Sequence, residues 1–317
     1  MKKVIFLLTV LFTLGAFHKA EASHVAGAEI SYRYIGDSTG TANEYEITVI
    51  VYRDSQGIPW TLDPFPLSIQ SGVCNATLTA NLTMEYISVD NDTVPGPGGP
   101  VPGYDNCANE GDTEFDRFHM FRYKGVAILP PCPDWVMSYT LPAARNSAID
   151  NLASLNTLLL VAKLNNTLGP NSSASFTTPA VKSFCKDRDF EWSQGAAETD
   201  PGDNLYFSLA EPLEGAYPGN GTGYNAGYSV SDPMTTINGF NLDPATGIIK
   251  FRPAKKEFIV FKIVVQDFRI DPVSGQEIQV GEVMREIQLP IFEDCKGVDD
   301  FFTGPRLDFS KLGQSEL

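Results

Sequence analysis

The sequence predicts an all-β protein made of two β-sandwich domains, and three observations carry that expectation. Tyr45, Ile47, Val49 and Val51 alternate with Glu46 and Thr48, the period-2 pattern of a half-buried strand. Phe258 to Val265 is apolar at every position except Lys262, as expected of a strand covered on both faces. Turn residues punctuate the chain at Asp63-Pro64, Asp243-Pro244, Thr246-Gly247 and Ser274-Gly275, and helical periodicity is scarce.

The first 22 residues read as an export signal outside the fold. Lys2 and Lys3 precede an apolar run from Val4 to Phe17, and Ala20-Glu21-Ala22 supplies a small-x-small cleavage site. The run is short for a bilayer core of ~30 Å, and no later stretch is apolar for long enough to span one. Residues 23–178 form the expected N-terminal β-rich domain. Its strands are Glu29–Tyr34, the alternating run just described, Leu67–Val73, Thr83–Val89, Arg122–Leu129 and Trp135–Leu141. Val94–Gly103 reads as an exposed loop, because its prolines withhold ladder donors. Asn146–Leu155 invites a turn or two of helix. The Asn/Ser/Thr/Pro-rich stretch after Leu164 reads as a connector, with the boundary near Thr178-Pro179. Residues 179–295 form the second sandwich, with strands Leu205–Leu209, Ile248–Arg252, Phe258–Val265 and Ile287–Ile291. Pro290 suggests an edge position late in the last of these. Residues 296–317 are a tail.

Charge and cysteine usage narrow the function classes. The formal charge is −16, and loss of the signal removes three lysines and one glutamate, giving −18. Such a surface repels nucleic acid and anionic lipid and suits an exported protein, secreted, on the outer surface or in the periplasm. Export permits disulfides, and Cys107–Cys132 and Cys185–Cys295 are the preferred pairs, although spacing alone leaves other pairings open. The fifth cysteine, Cys74, is left over. No Cys-x-x-Cys pair suggests zinc.

No catalytic residue is assigned. His18 leaves with the signal, His24 sits at the new N-terminus, and His119 lies between Phe118 and Met120; no Gly-x-Ser-x-Gly or phosphate-binding glycine loop occurs. Calcium is the cofactor the acidic turns suit, since it takes hard oxygen ligands. Asp200, Asp203 and Asp267 are the candidate metal ligands, with Asp187, Asp189 and Asn204 nearby in sequence. Asp-Pro and Gly-Asp-Asn are equally ordinary turn chemistry. The loop Gly215–Tyr228 interleaves Tyr217, Tyr224 and Tyr228 with glycines, and these tyrosines are the candidate ligand contacts. A carbohydrate-binding module is the alternative; it requires aromatics on an exposed face, for which Trp60, Trp135 and Trp192 are available.

Several blocks carry a resemblance. Ser23–Gly36 (SHVAGAEISYRYIG) is similar to the Ser-His-x-x-Gly-(Gly/Ala)-Glu-Ile opening of secreted Bacteroidetes proteins, and Tyr45–Gly57 resembles their strand ending in Tyr-Arg-Asp. Blocks at Trp135–Leu152, Leu164–Phe176, Cys185–Leu209, Leu242–Pro253 and Val264–Cys295 follow in the order such proteins show. The chain thus resembles the N-terminal regions of large surface proteins whose C-termini often carry a gliding-motility-associated sorting domain for type IX secretion. The second half resembles cadherin-like, immunoglobulin-type sandwiches. The resemblance implies cell-surface adhesion or matrix interaction, with an extracellular protein or glycan as partner, and no defined reaction; a structural envelope or matrix subunit is a further alternative. Ser55 and Ala143-Ala144 stand where relatives often have cysteines, and Asp200-Pro-Gly-Asp203 is one acidic residue short of the usual turn.

Overall fold

The computed structural model describes residues 25–36, 43–54, 62–85, 99–100, 118–142, 145–178, 180, 184–198 and 200–293. These form an all-β structure dominated by large antiparallel sheets. In chain order the strands are β1 (Val25–Gly36), β2 (Asn43–Asp54), β3 (Phe65–Ser71), β4 (Ala76–Glu85), β5 (Gly99–Pro100), β6 (Phe118–Leu129), β7 (Trp135–Leu141), β8 (Leu158–Leu164), β9 (Ser175–Phe176), β10 (Phe184–Cys185), β11 (Phe190–Ser193), β12 (Ala196–Ala197), β13 (Asn204–Ala210), β14 (Leu213–Glu214), β15 (Asn220–Gly221), β16 (Asn241–Leu242), β17 (Ile248–Phe251), β18 (Glu257–Ile270) and β19 (Glu277–Phe292). No helix among the described residues is long and apolar enough to cross a membrane.

Strand pairing closes on itself in the order β1-β2-β6-β4-β3-β7-β8-β19 and back to β1. Alternation decides what fills the ring. Ile30 and Tyr32 of β1, Tyr45, Ile47, Val49 and Val51 of β2, Phe121 and Tyr123 of β6, and Phe65, Leu67 and Ile69 of β3 are all buried. Each such side chain contributes roughly 1.5–3 kcal/mol on burial. The strand expected at Leu67–Val73 lies at Phe65–Ser71, and the one expected at Thr83–Val89 begins earlier, at Ala76. The apolar run LLLVAKL forms β8, buried except at Lys163, a strand the sequence reading does not include although a short continuous apolar run is consistent with one.

The long strand β19 joins the two halves. One edge pairs with β18 along nearly its whole length. The other pairs in turn with β8 at Gly281 and Glu282, with β1 at Arg285 to Ile287, and with β10 at Ile291 and Phe292. Pro290 falls in the interval between β1 and β10, where its missing donor costs no ladder bond. Beyond β19, β18 and β13 pack against the small β11-β17-β16 sheet through Phe184, Trp192, Phe240, Phe251 and Phe261, whose rings meet edge-on or tilted. One large apolar core runs through both halves.

Three expectations change. The stretch Asn146–Leu155 forms turns, not helix. Its buried Asn151 donates to Val260 O (2.6 Å) and Pro233 O (2.9 Å) and accepts from Val260 N (2.9 Å), which fastens the segment to β18. The polar stretch after Leu164 is packed, with Asn166, Asn171, Ser172 and Ser173 buried. Ser173 Oγ accepts the Tyr32 amide (3.0 Å) and Ser172 Oγ that of Tyr34 (3.2 Å), so its hydroxyls satisfy the edge of β1. Finally, Cys132 is bonded to Cys74, with Cα atoms 6.3 Å apart, and not to Cys107. Pairing of Gln70 with Val136 brings the β3–β4 turn beside the segment before β7, a proximity invisible in spacing. Cys185 is also disulfide-bonded; it lies beside Phe292, just ahead of its expected partner Cys295. Cys107, Cys295, Trp60, His24, the signal, the tail and most of Val94–Gly103 lie outside the described residues.

Candidate functional site

Alternation along β18 carries Ile263, Val265 and Asp267 to the same buried face. Asp267 therefore points a carboxyl group into the interior, with no exposed surface. Its cross-strand neighbour on β19 is Gly281, at a bulge where the register skips Val280. The absent side chain matters. A Cβ at Gly281 would collide with the Asp267 carboxylate and would lie 2.8 Å from Tyr32 Oη and 2.9 Å from Asn171 Nδ2. These groups occupy the space a side chain would fill.

Neither Asp267 oxygen has a hydrogen bond of normal geometry. Burial pushes its carboxyl up to about 8, Glu198 and Asp203 add to the rise, and the Ala174 amide and Asn171 oppose it. Asp267 is consequently protonated at neutral pH. Tyr32, which donates to Lys163 O (2.8 Å), is also held well above its usual range, by burial first and by Asp267 second.

Next to this buried acid stand Glu198, Asp200 and Asp203, whose carboxylate oxygens lie within 4.8 Å of one another. Arg269 reaches into the cluster. Its Nε and Nη2 bond both oxygens of Asp203 (2.8 and 2.6 Å), and Nη2 also approaches Asp200 (3.4 Å) and Asn171 Oδ1 (3.0 Å). Asp200 also accepts the Ser172 amide (2.6 Å), tying the packed connector to the turn before β13. The fold therefore brings Asp200, Asp203 and Asp267 into one neighbourhood, as the sequence suggests. It divides their roles, however: Asp203 is clamped by a guanidinium and Asp267 is sealed behind Gly281. The donor set is all oxygen and suits calcium, but Arg269 already holds the Asp203 oxygens. Asn171 stands in an Asn-x-Ser sequon and is fully buried, so that sequon is structural.

The other candidates scatter. Asp187 and Asp189 lie at the opposite end of β19, where Asp189 is 3.8 Å from Arg252. Tyr228 donates to Glu257 (2.7 Å) and accepts from Lys255 (2.9 Å). Tyr224 is half-buried in a small cluster with Ile149, Leu152, Phe258 and Val260. Tyr217 lines a groove of about 610 Å³ with Gln70, Asp134, Lys163 and Gln279. The three tyrosines thus form no common contact surface. The loop that bears them is bonded to the 150–153 segment through Asn225, whose side chain donates to Asp150 O (2.8 Å) and Leu152 O (3.0 Å). Trp135 and Trp192 are core residues, 1% and 5% exposed.

Sequence reading missed Tyr32, Asn171, Glu198, Arg269 and Gly281. Arg269 had a usable signal, since it stands two positions after Asp267 on one strand. The others come from distant segments. Comparison of the chain with protein-family models, curated proteins and solved structures found no match.

Proposed function

We propose that this chain is an exported, non-catalytic surface or secreted protein that binds or adheres to an extracellular protein or glycan. The observation that carries the reading is the use of its ionisable groups as structure. In the groove of about 610 Å³, Asp134 accepts from Ser71 Oγ (2.5 Å) and from the Gly72 and Val73 amides (3.0 Å each), and Lys163 pairs with Glu282 (2.7 Å). A lowered Asp134 carboxyl, caused first by Ser71, is the state of a fastening and not of a general acid. The ordered resemblance to N-terminal regions of Bacteroidetes surface proteins supports the same reading. Rigid sheets that hold loops and strand faces are a scaffold for recognition.

Calcium belongs to this proposal as a stabilising ligand of Glu198, Asp200 and Asp203, in competition with Arg269. Two measurements test the reading. Beads coated with the folded mature chain should be retained on immobilised cell envelopes and extracellular polysaccharide of the source bacterium, and beads coated with heat-unfolded chain should not; equal retention rejects adhesion. Removing the competing cation with Arg269→Ala should enlarge the rise in Tm between chelator and millimolar calcium. A Tm indifferent to calcium in both proteins removes the metal from the proposal.

A further inference from the structure

The outer face of β1, β2 and β6 carries the least expected charge pattern in this acidic chain. Register aligns three cross-strand rows on that face. Arg285, Glu29, Ile50, Arg122 and Glu85 form the first, Ser31, Thr48, Lys124 and Thr83 the second, and Arg33, Glu46 and Val126 the third. The segment Ser173 to Phe176 crosses one side, leaving a groove of about 270 Å³. Four cations (Arg33, Arg122, Lys124, Arg285) meet three carboxylates (Glu29, Glu46, Glu85), one positive charge in excess on a protein of formal charge −16.

Most of these charges are committed. Arg285 is clamped to Glu29 (2.6 Å), donates to Thr178 O (2.6 Å) and stacks on Phe176 at 3.9 Å. Arg33 pairs with Glu46 (3.1 Å) and Lys124 with Glu85 (3.5 Å). Arg122 differs: it is half-buried, lines the groove, and makes no hydrogen bond or salt bridge among the described residues. Its planar fork suits bidentate pairing with a carboxylate. The hydroxyls of Ser31, Thr48 and Ser175, which line the same groove, are likewise unengaged among the described residues.

The geometry points to this groove as a binding site for a uronate, a sugar ring bearing one carboxylate, with Arg122 taking the carboxylate and the hydroxyls the ring. A single negative charge matches the single excess cation, whereas a dianionic phosphate would exceed it in a groove that also holds Glu29 and Glu46. The groove is smaller than the ~300–1,000 Å³ of drug-sized sites, in keeping with one sugar unit of a chain. At physiological salt the Debye length is ~8 Å, so the local cations outweigh the distant negative surface. The inference rests on the binding reading above and gives it a ligand class.

The test is calorimetric titration of the mature chain with trigalacturonate, with its methyl ester as the uncharged counterpart. Trigalacturonate should bind, more weakly as salt rises, and the ester should not. Arg122→Gln should weaken binding at least tenfold and Lys124→Gln severalfold, with Tm unchanged, while Lys250→Gln on the far sheet should have no effect. Binding that survives Arg122→Gln, equal binding of the ester, or no binding to the unmodified chain would each overturn the assignment. Retention of coated beads in that last case would leave the adhesion reading standing and remove only the uronate.

Discussion

Asp267 shows what one buried residue does to a β-sandwich. It continues a face of aliphatic side chains, so the strand geometry that buries Ile263 and Val265 also buries a carboxyl group. An aspartate in an unfolded chain titrates near ~3.9, against about 8 here. With the folded value raised, its contribution to stability is complete below pH ~4 and is lost as pH climbs toward 8. Asp267→Asn cannot ionise. In chelator, its stability relative to the unmodified protein should therefore grow from pH 4 to 8, by on the order of a few kcal/mol, and level off above 8. Urea midpoints for both proteins at four pH values measure the difference. A difference independent of pH would mean that Asp267 is ionised and paired in the native state.

At the scale of the element, β19 carries two buried ion pairs. Its neighbours Arg285 and Glu286 point to opposite faces, and each forms a buried ion pair. Arg145 bonds Glu286 through Nε (2.6 Å) and Nη2 (2.9 Å), with both side chains at 0% exposure, and also donates to Leu213 O (3.0 Å) and Thr157 O. Arg145 thereby holds the turns after β7 against β19. Breaking one side of such a pair leaves an uncompensated buried charge and costs ~3–5 kcal/mol, whereas replacing both partners by apolar residues costs far less. Glu286→Gln should lose stability in that range, and Arg145→Met with Glu286→Met should recover much of it in a urea double-mutant cycle. Equal losses would mean that Arg145 acts through its carbonyl contacts and not through the pair.

For the whole molecule, closure of the strand ring by β19 predicts that the two halves fold together. Residues 23–178 hold every ring strand but β19, and β19 arrives from the far end of the chain. A chain ending at Thr178 should leave the facing edges of β1 and β8 unpaired and show no cooperative urea transition. Residues 23–317 should melt in one calorimetric transition. A cooperative transition with native near-UV dichroism in the short chain would establish two independent domains. The Cys74–Cys132 bond closes a loop with a sequence separation of 58, and on the loop-entropy model contributes about 4 kcal/mol.

Local chemistry in the sequence determined the class of structure. Period-2 alternation in β2, the apolar run in β18 and the Asp-Pro, Thr-Gly and Ser-Gly turns specify strands and their ends without reference to distant residues. Proximity of Asp200, Asp203 and Asp267 was also legible, because turn and strand end meet in any antiparallel pair. Tertiary structure alone decided the rest. Which cysteine meets Cys132, how Arg269 neutralises Asp203, why position 281 has no side chain, and where Arg122 lies without a hydrogen bond or salt bridge among the described residues all depend on strands far apart in the chain. Such contacts follow from sheet order and register, which residue periodicity does not encode.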